Sequence, residues 1–188
     1  MNKSIAIVFA AFVLAPIVCW GQEQMTVARF REITSTPGDN TPLNPKLAAA
    51  ISDLFTNATV SIVLKYPDGK TLNVEATESA KTVGGKYIVT TVHSQSNSEH
   101  VDSIMTYDEK ASAYRGWAAY GEKIIGGVSV FDLQKKIVST YVDYGDGSSE
   151  LSVGSYSNTE SSDRALIFKN GVLFCTRESK TMPVNKSK

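Results

Sequence analysis

The sequence is short of most residues that build a recognisable chemical site. Among 188 residues there are two cysteines and two histidines. The cysteines are Cys19 and Cys175. Loss of an amino-terminal leader would leave a single thiol, which excludes an intrachain disulfide framework. Cys175 ends the run Val172-Leu173-Phe174-Cys175 and reads as a small buried hydrophobe, with no basic or imidazole neighbour in sequence to activate it. An excess of charge of either sign is also missing: 19 basic residues face 19 acidic ones. Nucleic acid demands a basic face, so it is not an expected partner. Neither a Walker loop nor a dinucleotide fingerprint is present, and Gly154-Ser155-Tyr156-Ser157 misses the nucleophile elbow. These absences imply no cofactor and no metal, and they favour a non-enzymatic role.

Long apolar runs are confined to the amino terminus. Met1-Asn2-Lys3 carries one positive charge, residues 4–18 are almost wholly apolar, and Cys19-Trp20-Gly21 offers small residues at the positions a signal peptidase reads. The stretch is shorter than the ~20 apolar residues of a bilayer-spanning helix. Residues 1–21 are therefore expected to be a signal peptide cut before Gln22, giving a secreted or periplasmic protein. No integral membrane span is expected after that cut.

The remainder divides by pattern. Residues 22–43 read as a linker, because Thr36-Pro37-Gly38-Asp39-Asn40-Thr41-Pro42 is rich in turn formers; within it, residues 25–33 fit a short helix or a strand equally well. Asn44 and Pro45 suit a helix start, and Leu47, Ile51, Leu54 and Phe55 share one helical face. From Thr59 onward β-branched and aromatic runs alternate with turn signals. Strands are expected over 59–66, 71–77, 86–94, 101–107, 113–120, 124–131, 136–143, 149–157, 164–169 and 172–179. Pro67-Asp68-Gly69-Lys70 and Asn170-Gly171 are the strongest reversals. Short consecutive hairpins without long helices predict an all-β fold: an antiparallel meander closing into a lipocalin-like β-barrel of about 8–10 strands, with one short N-terminal helix. That domain is expected over 44–181, followed by a flexible tail over 182–188.

Several motifs carry a resemblance. Gly84-Gly85-Lys86-Tyr87-Ile88-Val89, then Thr106-Tyr107-Asp108, the turn at Glu109-Lys110 and Tyr114-Arg115-Gly116-Trp117 are similar to an uncharacterised bacterial domain family with a lipocalin-like (calycin-type) barrel. The likeness spans residues 45–180 or so. It departs at the first strand, where such domains carry Gly-x-Trp and this chain has Asn57-Ala58-Thr59-Val60. The resemblance implies a fold more than an activity, since the family has no common assigned function.

Few constellations remain. His93 and His100 flank the 94–99 loop, with Glu99 and Asp102 adjacent; two imidazoles and a carboxylate could ligate zinc, but a solvated hairpin end is the plainer reading. Asp143, Asp146 and Glu150 surround a glycine-rich turn without calcium-loop spacing. Gly126-Gly127 marks a bulge or barrel bend. The aromatics are the best lead. If alternate side chains point inward, Tyr87, Val89, His93, Tyr107, Trp117 and Tyr141 are the candidate lining of a semi-polar cavity, with Tyr87, Val89, Thr91 and His93 on one face of their strand. The leading functional expectation is an exported protein that holds a small apolar or amphipathic ligand, each buried methylene contributing ~0.8 kcal/mol. The alternatives are a cell-envelope interaction or structural protein with a solid barrel, and a cavity enzyme using His93 or His100. The sequence leaves the oligomeric state open.

Overall fold

The computed structural model describes residues 25–51, 57–95, 100–120 and 122–184. The signal-peptide reading and Glu99 lie outside them. Ten antiparallel strands form one closed barrel, as the hairpin pattern predicts. They are β1 (Asn57–Lys65), β2 (Thr71–Val83), β3 (Tyr87–Ser94), β4 (His100–Asp108), β5 (Ala113–Tyr120), β6 (Lys123–Asp132), β7 (Ile137–Asp143), β8 (Ser148–Tyr156), β9 (Ser161–Lys169) and β10 (Val172–Pro183). Each strand pairs with the next, and β1 pairs with β10, so among the described residues no strand edge is left unpaired. At the β9–β10 turn Asn170 and Gly171 both have positive φ (51° and 77°), the geometry a two-residue hairpin needs to follow strand twist.

Two helices precede the barrel: α1 (Val27–Ser35) and α2 (Pro45–Ala50). The Thr26 side chain caps α1 by accepting from the Arg29 amide. Asn44 caps α2 by accepting from the Lys46 amide, with Pro45 in the first turn. The chain between them is stitched to the β2–β3 turn. Asp39 accepts from the Gly84 amide at 2.7 Å, and the Asn44 amide donates to the Gly85 carbonyl at 2.8 Å. Gly84 and Gly85 both have positive φ. A Cβ on Gly85 would also collide with the Pro42 carbonyl oxygen, so this strap requires glycine there.

Cross-strand partners share a face of the sheet, and the register can be followed around the closed ring. One face carries Val60, Ala76, Ile88, Tyr114, Ile125, Glu150, Tyr156, Ala165 and Cys175, all buried. This is the interior. The alternate face is exposed on β8, where Val153 is 54% exposed, and is buried around Val89 and Ile104, where α1 lies.

The helices therefore make two separate cores. Phe30 and Ile33 of α1 pack on the outer wall against Val83, Val89 and Ile104. Leu47 and Ala50 of α2 pack against inward-facing Ile88 and Tyr114, so α2 plugs one barrel end. Burying a side chain such as Phe30 or Leu47 contributes about 1.5–3 kcal/mol.

Three sequence readings are corrected. Residues 22–43 are not a plain linker: they hold α1, whose Phe30 and Ile33 are core residues that the turn-rich stretch after them masks. The tail begins later than residue 182, because β10 pairs with β1 through Pro183. Gly126-Gly127 makes no bulge, since β6 stays in register with both neighbours. Gly126 instead faces Trp117 across the strand pair, and the bulge falls between Leu173 and Cys175.

Candidate functional site: a semi-polar lumen

At the plugged end four inward aromatic rings form a chain. Tyr107, Tyr114, Phe131 and Tyr156 meet edge-to-face with successive centroid separations of 5.0, 4.6 and 5.8 Å. They come from the ends of β4, β6 and β8 and the start of β5, which the meander brings to the same rim. The Tyr114 hydroxyl donates to the Lys46 carbonyl at 3.0 Å, tying this floor to α2. Burial pushes the Tyr114 hydroxyl pKa up.

Above the floor the inward residues are less completely buried. Ile62, Val74, Val92, Ser103, Ala118, Val138, Thr140, Val142 and Ser152 all face inward, yet each keeps intermediate exposure. Four of these positions carry small side chains: Ser103, Ala118, Thr140 and Ser152. Ser129 and Thr140 share a hydroxyl hydrogen bond of 2.9 Å on this wall.

One sector of the lumen is ionic. Arg177 on β10 reaches Glu150 on β8 through Nη2 at 3.0 Å and Nη1 at 3.2 Å, and Asp163 on β9 through Nη2 at 2.8 Å. The Tyr144 hydroxyl donates to Glu150 at 2.9 Å, and the Ser179 hydroxyl donates to Asp163. Burial pulls the Arg177 pKa down, but the negative charges of Glu150 and Asp163 outweigh it and the net shift is upward. Among the described residues Arg177 Nε, which is buried, finds no hydrogen-bond partner. Cys175 lies on the same wall; burial, then the Glu150 charge, raises its thiol pKa, which makes it a poor nucleophile. Glu78 faces inward from β2, and burial raises its carboxyl pKa.

Of the residues nominated from sequence, only Tyr107 faces the lumen. Tyr87, Val89, His93, Trp117 and Tyr141 lie on the outer face. Val89 is buried, but under α1, with Tyr87 and Trp117 packed beside it. That is why a mixed face on β3 resembles a cavity lining. His93 and His100 are direct cross-strand partners with ring centroids 5.4 Å apart. Both are exposed on the outer surface, and Asp102 lies 4.0 Å from His100. Among the described residues no three His, Cys, Asp or Glu side chains converge in a metal-binding group. Asp143, Asp146 and Glu150 also diverge: the first two accept from the Gly145 and Ser148 amides, while Glu150 turns into the lumen. Sequence reasoning missed Arg177 and Asp163, and it missed the inward course of Glu150. Their separate strands give no local signal that they meet.

The fold has solved counterparts. A protein of unknown function of the DUF3598 family from Nostoc punctiforme PCC 73102 superposes with a TM-score of 0.54 at 14% identity over 80% of this chain. The present chain covers 53% of that one, so it spans about half its length. Rv2717c from M. tuberculosis gives a TM-score of 0.55 at 10% identity, covering 74% of this chain and 98% of that one. The S-type phycobiliprotein lyase CPES from Guillardia theta gives 0.53 at 9% identity, covering 78% and 100%. No family model matches the sequence, and no curated protein does. At these identities the likeness establishes a shared barrel fold. Among the described residues no helix is long and apolar enough to cross a membrane.

Proposed function

We propose that this protein is an exported binding protein that holds a small, partly apolar ligand inside its barrel. The observation that carries the reading is the partial exposure of inward residues midway along the strands, above an aromatic floor. A solid barrel would bury Val92, Val138 and Val142 as fully as it buries Ile88. Lumens of this kind, apolar with a few placed polar groups, suit small ligands, and the fold also serves a phycobiliprotein lyase. Export is supported by the leader-like pattern of residues 1–21. A cavity enzyme built on His93 or His100 finds neither imidazole in the lumen.

The test is titration of the chain beginning at Gln22 with the neutral fluorophore N-phenylnaphthylamine, alongside an Ala118→Trp variant that fills the lumen. Saturable binding by the parent, lost in a variant that still melts cooperatively, supports the reading. Equal binding by both proteins places the probe elsewhere and removes it. Native mass spectrometry of the purified protein should also show a co-purified small mass.

A further inference from the structure

We infer that the lumen selects ligands with a cationic head on an apolar tail, an alkylamine or quaternary ammonium, with Glu78 as the counter-ion. The inference rests on the ligand-binding reading and adds the chemical class of the guest.

Glu78 lies midway along β2, with Ala58 and Val92 as its cross-strand partners. The inner faces on either side of it offer no charge. On β1 they are Ala58, Val60, Ile62 and Leu64, on β3 Ile88, Thr90, Val92 and Ser94, and on β2 itself Val74, Ala76, Ala80 and Thr82. Among the described residues no side chain pairs with the Glu78 carboxylate, and its only perturbation is burial. The inward arginine Arg177 is already held between Glu150 and Asp163. The inward lysines Lys123 and Lys169 are exposed at strand ends on the rim opposite α2. Among the described residues below that rim, Glu78, Glu150 and Asp163 face inward from the strands with Arg177, and at the floor the Lys136 ammonium lies over the Tyr156 ring, 5.4 Å from its centroid.

A carboxylate held in an apolar wall without a partner opposes folding, and such groups are characteristic of sites whose partner arrives from outside. The missing partner is a cation. An ammonium head would restore the ion pair away from bulk water while its tail covers the valine and isoleucine wall. An anionic head would meet Glu78, Glu150 and Asp163 and be repelled.

The probes are octyltrimethylammonium, octanol and octanoate, three heads on one tail, each titrated by calorimetry below its aggregation concentration into the chain beginning at Gln22. The expected result is ammonium binding about tenfold or more tighter than octanol, with octanoate weakest. In Glu78→Gln the ratio of ammonium to octanol affinity should fall to about twofold or less. The parent's preference should also fade as pH drops through the raised Glu78 carboxyl range, because protonation removes the counter-ion. Octanoate binding as tightly as the ammonium, or a preference that survives Glu78→Gln, overturns the inference. Equal binding of all three leaves the ligand-binding reading standing and removes the cationic head. Binding of none removes both. The comparison of heads on the parent protein needs no variant to fold.

Discussion

Strands β3 and β8 belong to one sheet, and they bury themselves in opposite ways. On β3 the adjacent residues Ile88 and Val89 are both buried, one by the α2 plug inside and the other by α1 outside. On β8 the pattern is inverted. Glu150 points inward and is 3% exposed, while Val153 points outward and is 54% exposed. A barrel with a semi-polar lumen obeys the rule that apolar side chains face in only in part. On β3 a helix covers each of the two apolar side chains, whereas on β8 Glu150 is buried because Arg177 and Tyr144 converge on it and Val153 is left uncovered.

Breaking the two coverings of β3 should have the largest effect. Phe30→Ala and Leu47→Ala each remove a fully buried side chain and should cost about 3–4 kcal/mol in urea unfolding. A loss of under 1 kcal/mol for Phe30→Ala would mean α1 is not part of the core. Glu150→Gln comes next. It leaves Arg177 with Asp163 alone and should cost about 3 kcal/mol. The double variant Glu150→Gln with Arg177→Met should be less damaged than the sum of the singles, because the second change removes the stranded charge. A simple sum would show the pair acts independently.

Glu78→Gln sharpens the contrast from the other side. The folded carboxyl pKa is raised by burial, so the folded state holds its proton more tightly than the unfolded chain. Stability of the empty protein therefore falls as pH rises from the ordinary carboxylate range through the raised value, and the cost is fully present above it. The variant should melt slightly higher than the parent at neutral pH, by about 2 °C or less, with the difference vanishing in acid. A lower melting temperature at neutral pH would contradict the unpaired carboxylate. Val153→Thr, on the exposed outer face of β8, should change stability by about 0.5 kcal/mol or less.

Much of the fold is legible in sequence. Asn170-Gly171 and Pro67-Asp68-Gly69-Lys70 mark reversals that exist, and the expected strands all fall on observed ones. Asn44-Pro45 starts a helix where expected. The first helix was ambiguous because its apolar residues are few, Phe30 and Ile33 being the buried ones, and a turn-rich strap follows at once.

The site was legible only in outline. Alternation along β3 groups Tyr87, Val89 and His93 on one face, but alternation alone does not say which face is inside. The sequence by itself determined local matters: where the chain reverses, where a helix can start, and which residues share a side of each strand. Turn geometry, capping and the two-residue repeat act over a few neighbours. Only the closed barrel decided which side is the lumen, that α1 covers the wall and α2 the end, and that Glu150, Asp163 and Arg177 converge while Glu78 stands apart. Inside and outside are properties of a ring closed by β1 and β10, and no segment shorter than the ring contains them.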